Sequence, residues 1–210
     1  MSSDTQRHRR KEARPGEIIA AALTIFHTKG YAASKIEDVA TAAGVTKGTV
    51  YLYFSSKEAL FKAAIIESIL PNLDRIEEAV KTETTAHAQL RIAMQLWAET
   101  ISASRGSLFK LMLAEAGNFP ELAEYFLENV SGRVRRMLAS IVEFGIENGE
   151  FRACNPDVVV RVLTAPILLG DVWRRTFPNL NAPLPEPGQL IESLLDVVLN
   201  GINPRMEIYQ

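Results

Sequence analysis

The chain has 210 residues, 47% of them hydrophobic and 23% charged, with a net charge of −2. This is enough for one large domain, or a small one joined to a larger one, of ordinary soluble composition. The single cysteine, Cys154, excludes an intramolecular disulfide framework, and no apolar run approaches the ~18 residues of a membrane span. The basic N-terminus lacks the apolar segment of a secretion signal, so a cytoplasmic location is expected.

The charge is unevenly placed. Residues 1–58 carry nine Lys/Arg against six Asp/Glu, a balance of +3; residues 59–210 carry fourteen against nineteen, a balance of −5. A basic head on an acidic body suits a protein whose head meets a polyanion, although chance imbalance accounts for the numbers equally well.

In chain order, residues 1–13 read as a basic flexible tail. The stretch EIIAAALTIFHTKG predicts a first helix, with Ile18, Ala22, Ile25 and Phe26 on one face and Gly30 as its stop. SKIEDVATAAG predicts a second, opened by Ser34 with Glu37 three residues on, a capping-box pattern. VTKGTVYLYF predicts a third. Its Val, Tyr and Phe residues would also suit a strand, but a lone strand in a helical chain has no partner. Further helices are expected at 56–80 (kinked at Pro71), 85–103, 106–117, 120–148, 156–176 and 187–202. Ser55 and Glu58 offer a second capping box. Turn signals at Gly106, GNFPE, ENGEF, NPD and FPNLNAPLPEPG separate the elements. The fold class is therefore all-α: a three-helix head and a larger helical body, about nine helices in all.

Ala43-Gly44-Val45 joins the second and third helices. Gly44 can take the left-handed backbone that ends one helix and lets the next leave steeply. Ala40 is small enough for close approach, and Val39, Val45 and Val50 suit the core between the helices. This is the layout of a helix-turn-helix, whose second helix enters the DNA major groove. On the third helix Val50 and Phe54 face inward, with Gly48, Leu52 and Ser55 opposite. Thr46 can cap its start, and Lys47 sits at its tip. Gly48 costs about 1 kcal/mol relative to alanine, but its missing side chain lets the backbone approach a base or phosphate. A tyrosine ring packs while its hydroxyl reaches a phosphate. An exposed Leu52 either touches a thymine methyl or contributes nothing. The tail is either a solubilising segment or an arm entering the minor groove.

Residues 17–62 closely resemble the DNA-binding domain of TetR-family transcriptional regulators. The resemblance rests on Gly30-Tyr31, Val39-Ala40, Ala43-Gly44-Val45, Gly48, Tyr51, Tyr53-Phe54 and Ser56-Lys57-Glu58-Ala59-Leu60. It implies a DNA-binding domain at 14–58 and a ligand-binding and dimerisation domain at 59–210. It also implies a homodimer formed by the last two long helices, and a repressor released from a palindromic operator by a small-molecule effector. Thr46, Lys47, Gly48 and Thr49 fall at the groove-facing start of the recognition helix. Lys47 suits a base contact, since lysine can donate to guanine O6 and N7. Tyr51 and Tyr53 resemble the family's phosphate-contacting aromatics. Ser34 and Lys35 are expected at the DNA backbone, and so is Lys57 at the start of the fourth helix.

In the body, 156–177 is nearly all apolar, and 189–202 has an apolar face at Leu190, Leu194, Leu195, Val198 and Ile202. Paired with their symmetry mates these two helices would form a four-helix interface, unless one is simply core. Met94, Trp97, Phe109, Met112, Leu113, Phe126, Leu163, Ile167 and Trp173 are candidates to line a pocket for an apolar or aromatic ligand, though each also reads as plain core. His8, His27 and His87 show no metal-ligand spacing, and Cys154 has no histidine near it in sequence. With no phosphate-cradling loop or nucleophile elbow either, no enzyme activity, metal or cofactor is expected. The remaining rival is a ligand-independent, architectural DNA-binding protein.

Overall fold

The computed structural model describes residues 3–103, 108–177 and 185–203. Among them every regular element is helical, as the all-α reading requires. In order these are α1 (Ser3–Lys29), α2 (Ile36–Ala42), α3 (Lys47–Tyr53), α4 (Lys57–Ser68), α5 (Leu70–Lys81) and α6 (Ala86–Ala103). They continue with α7 (Leu108–Glu115), α8 (Pro120–Phe126), a π turn (Leu127–Ser131), α9 (Gly132–Glu147), α10 (Pro156–Thr176) and α11 (Pro187–Ile202). The turn signals at Gly106 and within 178–184 lie outside the described residues.

All nine predicted segments are present, and two are divided. The expected 56–80 helix ends at Ser68, with Ile69 as C-cap, and a new helix starts at Leu70. Pro71 then falls in a first turn, where its missing N–H costs nothing, so it begins α5 and does not kink a longer helix. The 120–148 segment is interrupted by the π turn between α8 and α9. At the other end, residues 3–13 are not a separate tail: they continue α1 through Pro15. Their Arg, Lys, Glu and Ala residues favour a helix. The side chains of residues 1–13, including the basic groups of the supposed arm, lie outside the described residues.

The chain forms two compact units, and neither follows the 14–58/59–210 division. One comprises residues 1–71 with 105–127; the other comprises 72–104 with 128–210. The first joins α7 and α8 to the head because α1 and α4 have too much apolar surface to satisfy each other alone. Ile18, Ala22 and Phe26 of α1 and Leu60, Phe61, Ala64 and Ile65 of α4 are fully or almost fully buried. The α1–α4 layer is closed by α2 and by α7 against α1, and by α8 against α4. Aromatic rings fill its centre. Tyr31 lies 5.3 Å from Phe26, 5.5 Å from Phe61 and 4.8 Å from Phe119, in tilted and edge-on pairs.

The second unit packs α6 against α9 and α11, with α10 on α9 and α11. Met94, Leu138, Leu163 and Leu195 are among its fully buried positions. Arg133 fastens α9 to α5 through Glu77 at 2.6 Å and Asp74 at 2.7 Å. Leu195, Val198 and Ile202 are buried here, so most of the α11 face expected at a dimer interface is used inside the unit, against α6 and α10.

Gly145 on α9 marks the closest approach in this unit. A Cβ there would overlap the Phe151 ring and come within 2.8 Å of the Ala86 side chain. Gly145→Ala is expected to destabilise the second unit by about 1–3 kcal/mol, read as a lower midpoint in chemical denaturation.

Candidate nucleic-acid interface

The turn between α2 and α3 is set by backbone chemistry. Gly44 has φ +64°, and a Cβ there would meet nothing within 4 Å, so glycine serves the left-handed backbone and not a tight contact. The Val45 N–H bonds the Ala40 carbonyl at 2.9 Å and the Gly44 N–H bonds that of Thr41 at 3.1 Å. This is the Schellman closure of a helix end. Val39, Ala40, Val50 and Phe54 are buried between the helices, whereas Val45 is only half-buried.

The caps are one residue later than the capping-box patterns suggested. Lys35, not Ser34, precedes α2, and its N–H donates to Asp38 at 3.1 Å. Ser34 is buried, and its hydroxyl donates to the Gly30 and Ile25 carbonyls. Ser56, not Ser55, caps α4 by accepting from the Ala59 N–H at 3.0 Å. Thr46 caps α3 as expected, accepting from the Thr49 N–H at 3.2 Å.

On the outer face of α3, Tyr51 is 45% exposed and Leu52 74%, with Tyr53 half-buried beside Phe54. Gly48 has room for a side chain: a Cβ would meet only the Thr46 hydroxyl, at 3.8 Å. Nothing inside the protein requires glycine at this helical position. Lys47 is paired with Glu37 of α2 at 2.6 Å, and its ammonium lies 5.7 Å from the centre of the Tyr51 ring. The pairing holds the Glu37 carboxyl below the usual carboxylate range and raises Lys47.

Lys57, expected to face a phosphate, is turned inward. Its ammonium donates to the carbonyls of Tyr31 at 2.7 Å, Ser34 at 3.0 Å and Ala32 at 3.4 Å, and lies 4.3 Å from the Tyr31 ring centre. Burial lowers its pKa, and the nearby Glu115 partly offsets this. Glu115, a buried acid at the end of α7, accepts the Ala32 N–H at 3.0 Å. The turn is thus held by a lysine on its carbonyls and a carboxylate on its amide. Burial, with Glu58, Glu121 and Glu115 adding to it, pushes the Tyr31 hydroxyl up to about 12, so it stays protonated.

Residues 18–64 match the family of bacterial regulatory proteins, tetR family, and residues 82–179 match the tetracyclin repressor-like C-terminal domain. The chain belongs to the TetR family of transcriptional regulators. The regulator is 28% identical to the fatty acid metabolism regulator protein of Bacillus subtilis over 144 residues, 68% of this chain and 74% of the relative. It is 25% identical to the HTH-type transcriptional repressor KstR2 of Mycolicibacterium smegmatis over 192 residues, 90% and 91% of the two chains. Among solved structures, the FadR regulator of Bacillus subtilis in complex with stearoyl-CoA shares its fold (TM-score 0.70, 23% identity, 89% and 98% covered). So does a regulator from Saccharomonospora viridis in complex with choline (TM-score 0.75, 20% identity, 93% and 100% covered).

The candidate pocket residues of the regulator fall in different units. Phe109, Met112, Leu113 and Phe126 belong to the first; Met94, Trp97, Leu163, Ile167 and Trp173 belong to the second. Met94, Trp97, Leu163 and Ile167 are buried, as are Met112 and Phe126. Leu113 and Trp173 depart from the expectation of an interior lining, at 62% and 41% exposed. Trp173 instead packs on Phe177 at 4.9 Å. Sequence reasoning missed the buried Asp171–Arg175 pair of α10, whose Nε–O distance is 2.7 Å. It also missed Glu37 and Glu115. The only signal for Glu115 was an acid inside the apolar run LFKLMLAEAG.

Gly48→Ala adds a methyl group where the protein has space. Folding stability is expected to stay level or rise by up to ~1 kcal/mol. Specific DNA affinity is expected to fall at least about tenfold, since each base-edge contact carries roughly 1–3 kcal/mol of discrimination. Thermal melting and a binding titration read the two effects separately.

Proposed function

We propose that this regulator is a homodimeric repressor. On this reading it binds an inverted-repeat operator through α3 and leaves it when a largely apolar ligand enters the helical body. Its role is binding and not catalysis, and it acts in the cytoplasm on double-stranded DNA.

The observation that carries the dimeric reading lies on α10. Val158, Val162, Leu169 and Trp173 are 55, 49, 63 and 41% exposed. Their spacing places them on one face of the helix. An apolar stripe of this kind is unusual on a monomer and suits a self-complementary, two-fold contact. α11 packs on α10 and contributes the exposed Val197. A two-fold pair reads an inverted repeat, with half-sites about 34 Å apart.

For the effector, the buried Met94, Trp97, Leu163 and Ile167 supply the apolar interior that such ligands need. The names of the relatives mention fatty acid metabolism, stearoyl-CoA and ketosteroid, which share a long apolar chain or ring system, joined in stearoyl-CoA to a polyanionic nucleotide head. Stearoyl-CoA is therefore the first probe. By reciprocity, operator binding must weaken ligand binding by the same factor as ligand weakens operator binding.

Two measurements test this reading. Leu169→Glu is expected to convert dimer to monomer in sedimentation and to weaken operator binding by about two orders of magnitude, through loss of the second half-site. Selection of bound duplexes from a random pool is expected to enrich an inverted repeat, from which micromolar stearoyl-CoA releases the protein. Release by choline and not by the acyl thioester would replace the apolar ligand with a small cation. Enrichment of no motif, with binding that simply vanishes as salt rises, would support the architectural protein instead.

A further inference from the structure

Among the described side chains of the head, four cations are already engaged. Lys29 of α1 pairs with Asp38 of α2 at 2.8 Å, and Lys47 of α3 pairs with Glu37 of α2 at 2.6 Å. Arg14 is engaged by Glu17 at 3.1 Å, and Lys57 is turned onto backbone carbonyls. Two consecutive acids at the start of α2 thus hold lysines from both neighbouring helices. Asp38 has a structural duty besides, since it accepts the Lys35 N–H that opens α2. The Glu37 carboxylate is likewise hydrogen-bonded to a main-chain N–H, its own, in the first turn of α2.

An exposed ion pair contributes little to stability, because water screens it and two long side chains must be ordered. Both members of the Lys47–Glu37 pair are about half exposed, at 52% and 55% of their side-chain surface. The ion pair adds little to the modest stabilisation that an acid in the first turn of α2 already gives, so it is by itself a weak reason for a carboxylate beside Lys47. Selectivity is a better one. Phosphate contacts strengthen binding to every sequence alike, whereas base edges distinguish sequences. A carboxylate beside Lys47 repels phosphates and lowers affinity for all DNA. An ammonium has three N–H donors. With one on Glu37 and the Tyr51 ring beside it, Lys47 is held at the tip of α3 with donors left for a guanine O6 or N7.

We propose that Glu37 is a specificity-determining residue. It restrains Lys47 from indiscriminate phosphate binding and presents it to a base edge, so that only the operator recovers the affinity the acid removes. Discrimination then comes from a repulsive element as well as an attractive one. This rests on the reading that α3 meets DNA.

The test uses the full-length protein, an operator duplex obtained by selection and a scrambled duplex of equal length, titrated at several KCl concentrations. Glu37→Gln is expected to tighten binding to the scrambled duplex about five- to tenfold and to the operator no more than about twofold. The slope of log affinity against log salt should steepen by roughly one on the scrambled duplex. Glu17→Gln removes the same charge from α1 and is expected to leave the ratio of the two affinities unchanged. Lys47→Gln should lower that ratio, and adding Glu37→Gln to it should lower it no further. An equal gain on both duplexes with Glu37→Gln, or the same effect from Glu17→Gln, would mean bulk charge alone and overturns the inference. Weakening of both duplexes by Glu37→Gln overturns it as well, with a melting curve of wild-type midpoint showing that the variant is folded. Wild-type protein that fails to prefer operator over scrambled DNA defeats the underlying DNA reading itself, and the inference with it.

Discussion

The ammonium of Lys57 is the contact on which the head depends. A lysine has three donors and no acceptor, and here it faces three carbonyls of one turn together with the face of the Tyr31 ring. Glu115 takes the Ala32 N–H of the same turn. Buried backbone groups are costly to leave unpaired, so the turn has little freedom to relax while both side chains stay in place. α2 begins immediately after this turn, and α3 follows α2 through a closed Schellman end. The direction of the recognition helix is therefore inherited from a junction made of α1, α4 and α7.

Much of this was legible in the sequence. The all-α class, the extents of α10 and α11 and the left-handed Gly44 follow from periodicity and turn chemistry, which are local properties. The inward pair Val50 and Phe54 follows from helical spacing alone. The caps expected at Ser34 and Ser55 fall one residue later because other hydrogen bonds and an ion pair compete for the same side chains. The Ser34 hydroxyl is engaged by the Ile25 and Gly30 carbonyls, and Glu58 pairs with Lys62 and not with a cap. Lys57 was read as a phosphate ligand because its motif position was visible and its surroundings were not. Nothing local announces that the end of α7, far along the chain, packs against the first turn.

Charge counting shows the same limit. A balance of +3 over residues 1–58 describes ionisable groups and not a surface potential. Glu37 and Asp38 are already in that balance, so their pairing with Lys47 and Lys29 leaves the net charge unchanged and only decides where on the surface it is expressed. The body carries a parallel lesson. An apolar helix in sequence is a helix that must be covered, but the sequence does not say by what. α11 spends its apolar residues on α6 and α10, while α10 keeps Val158, Val162 and Leu169 at the surface.

The clamp on the first turn has one more property. Every hydrogen bond that Lys57 and Glu115 make to residues 31–34 ends on a main-chain atom. Ala32 and Ala33 are exposed, and their side chains take no part. Evolution can therefore rewrite the chemistry of that patch without renegotiating the placement of the helices behind it. Descendants of one ancestral head could acquire new neighbours at these two positions while keeping the same grip on the groove.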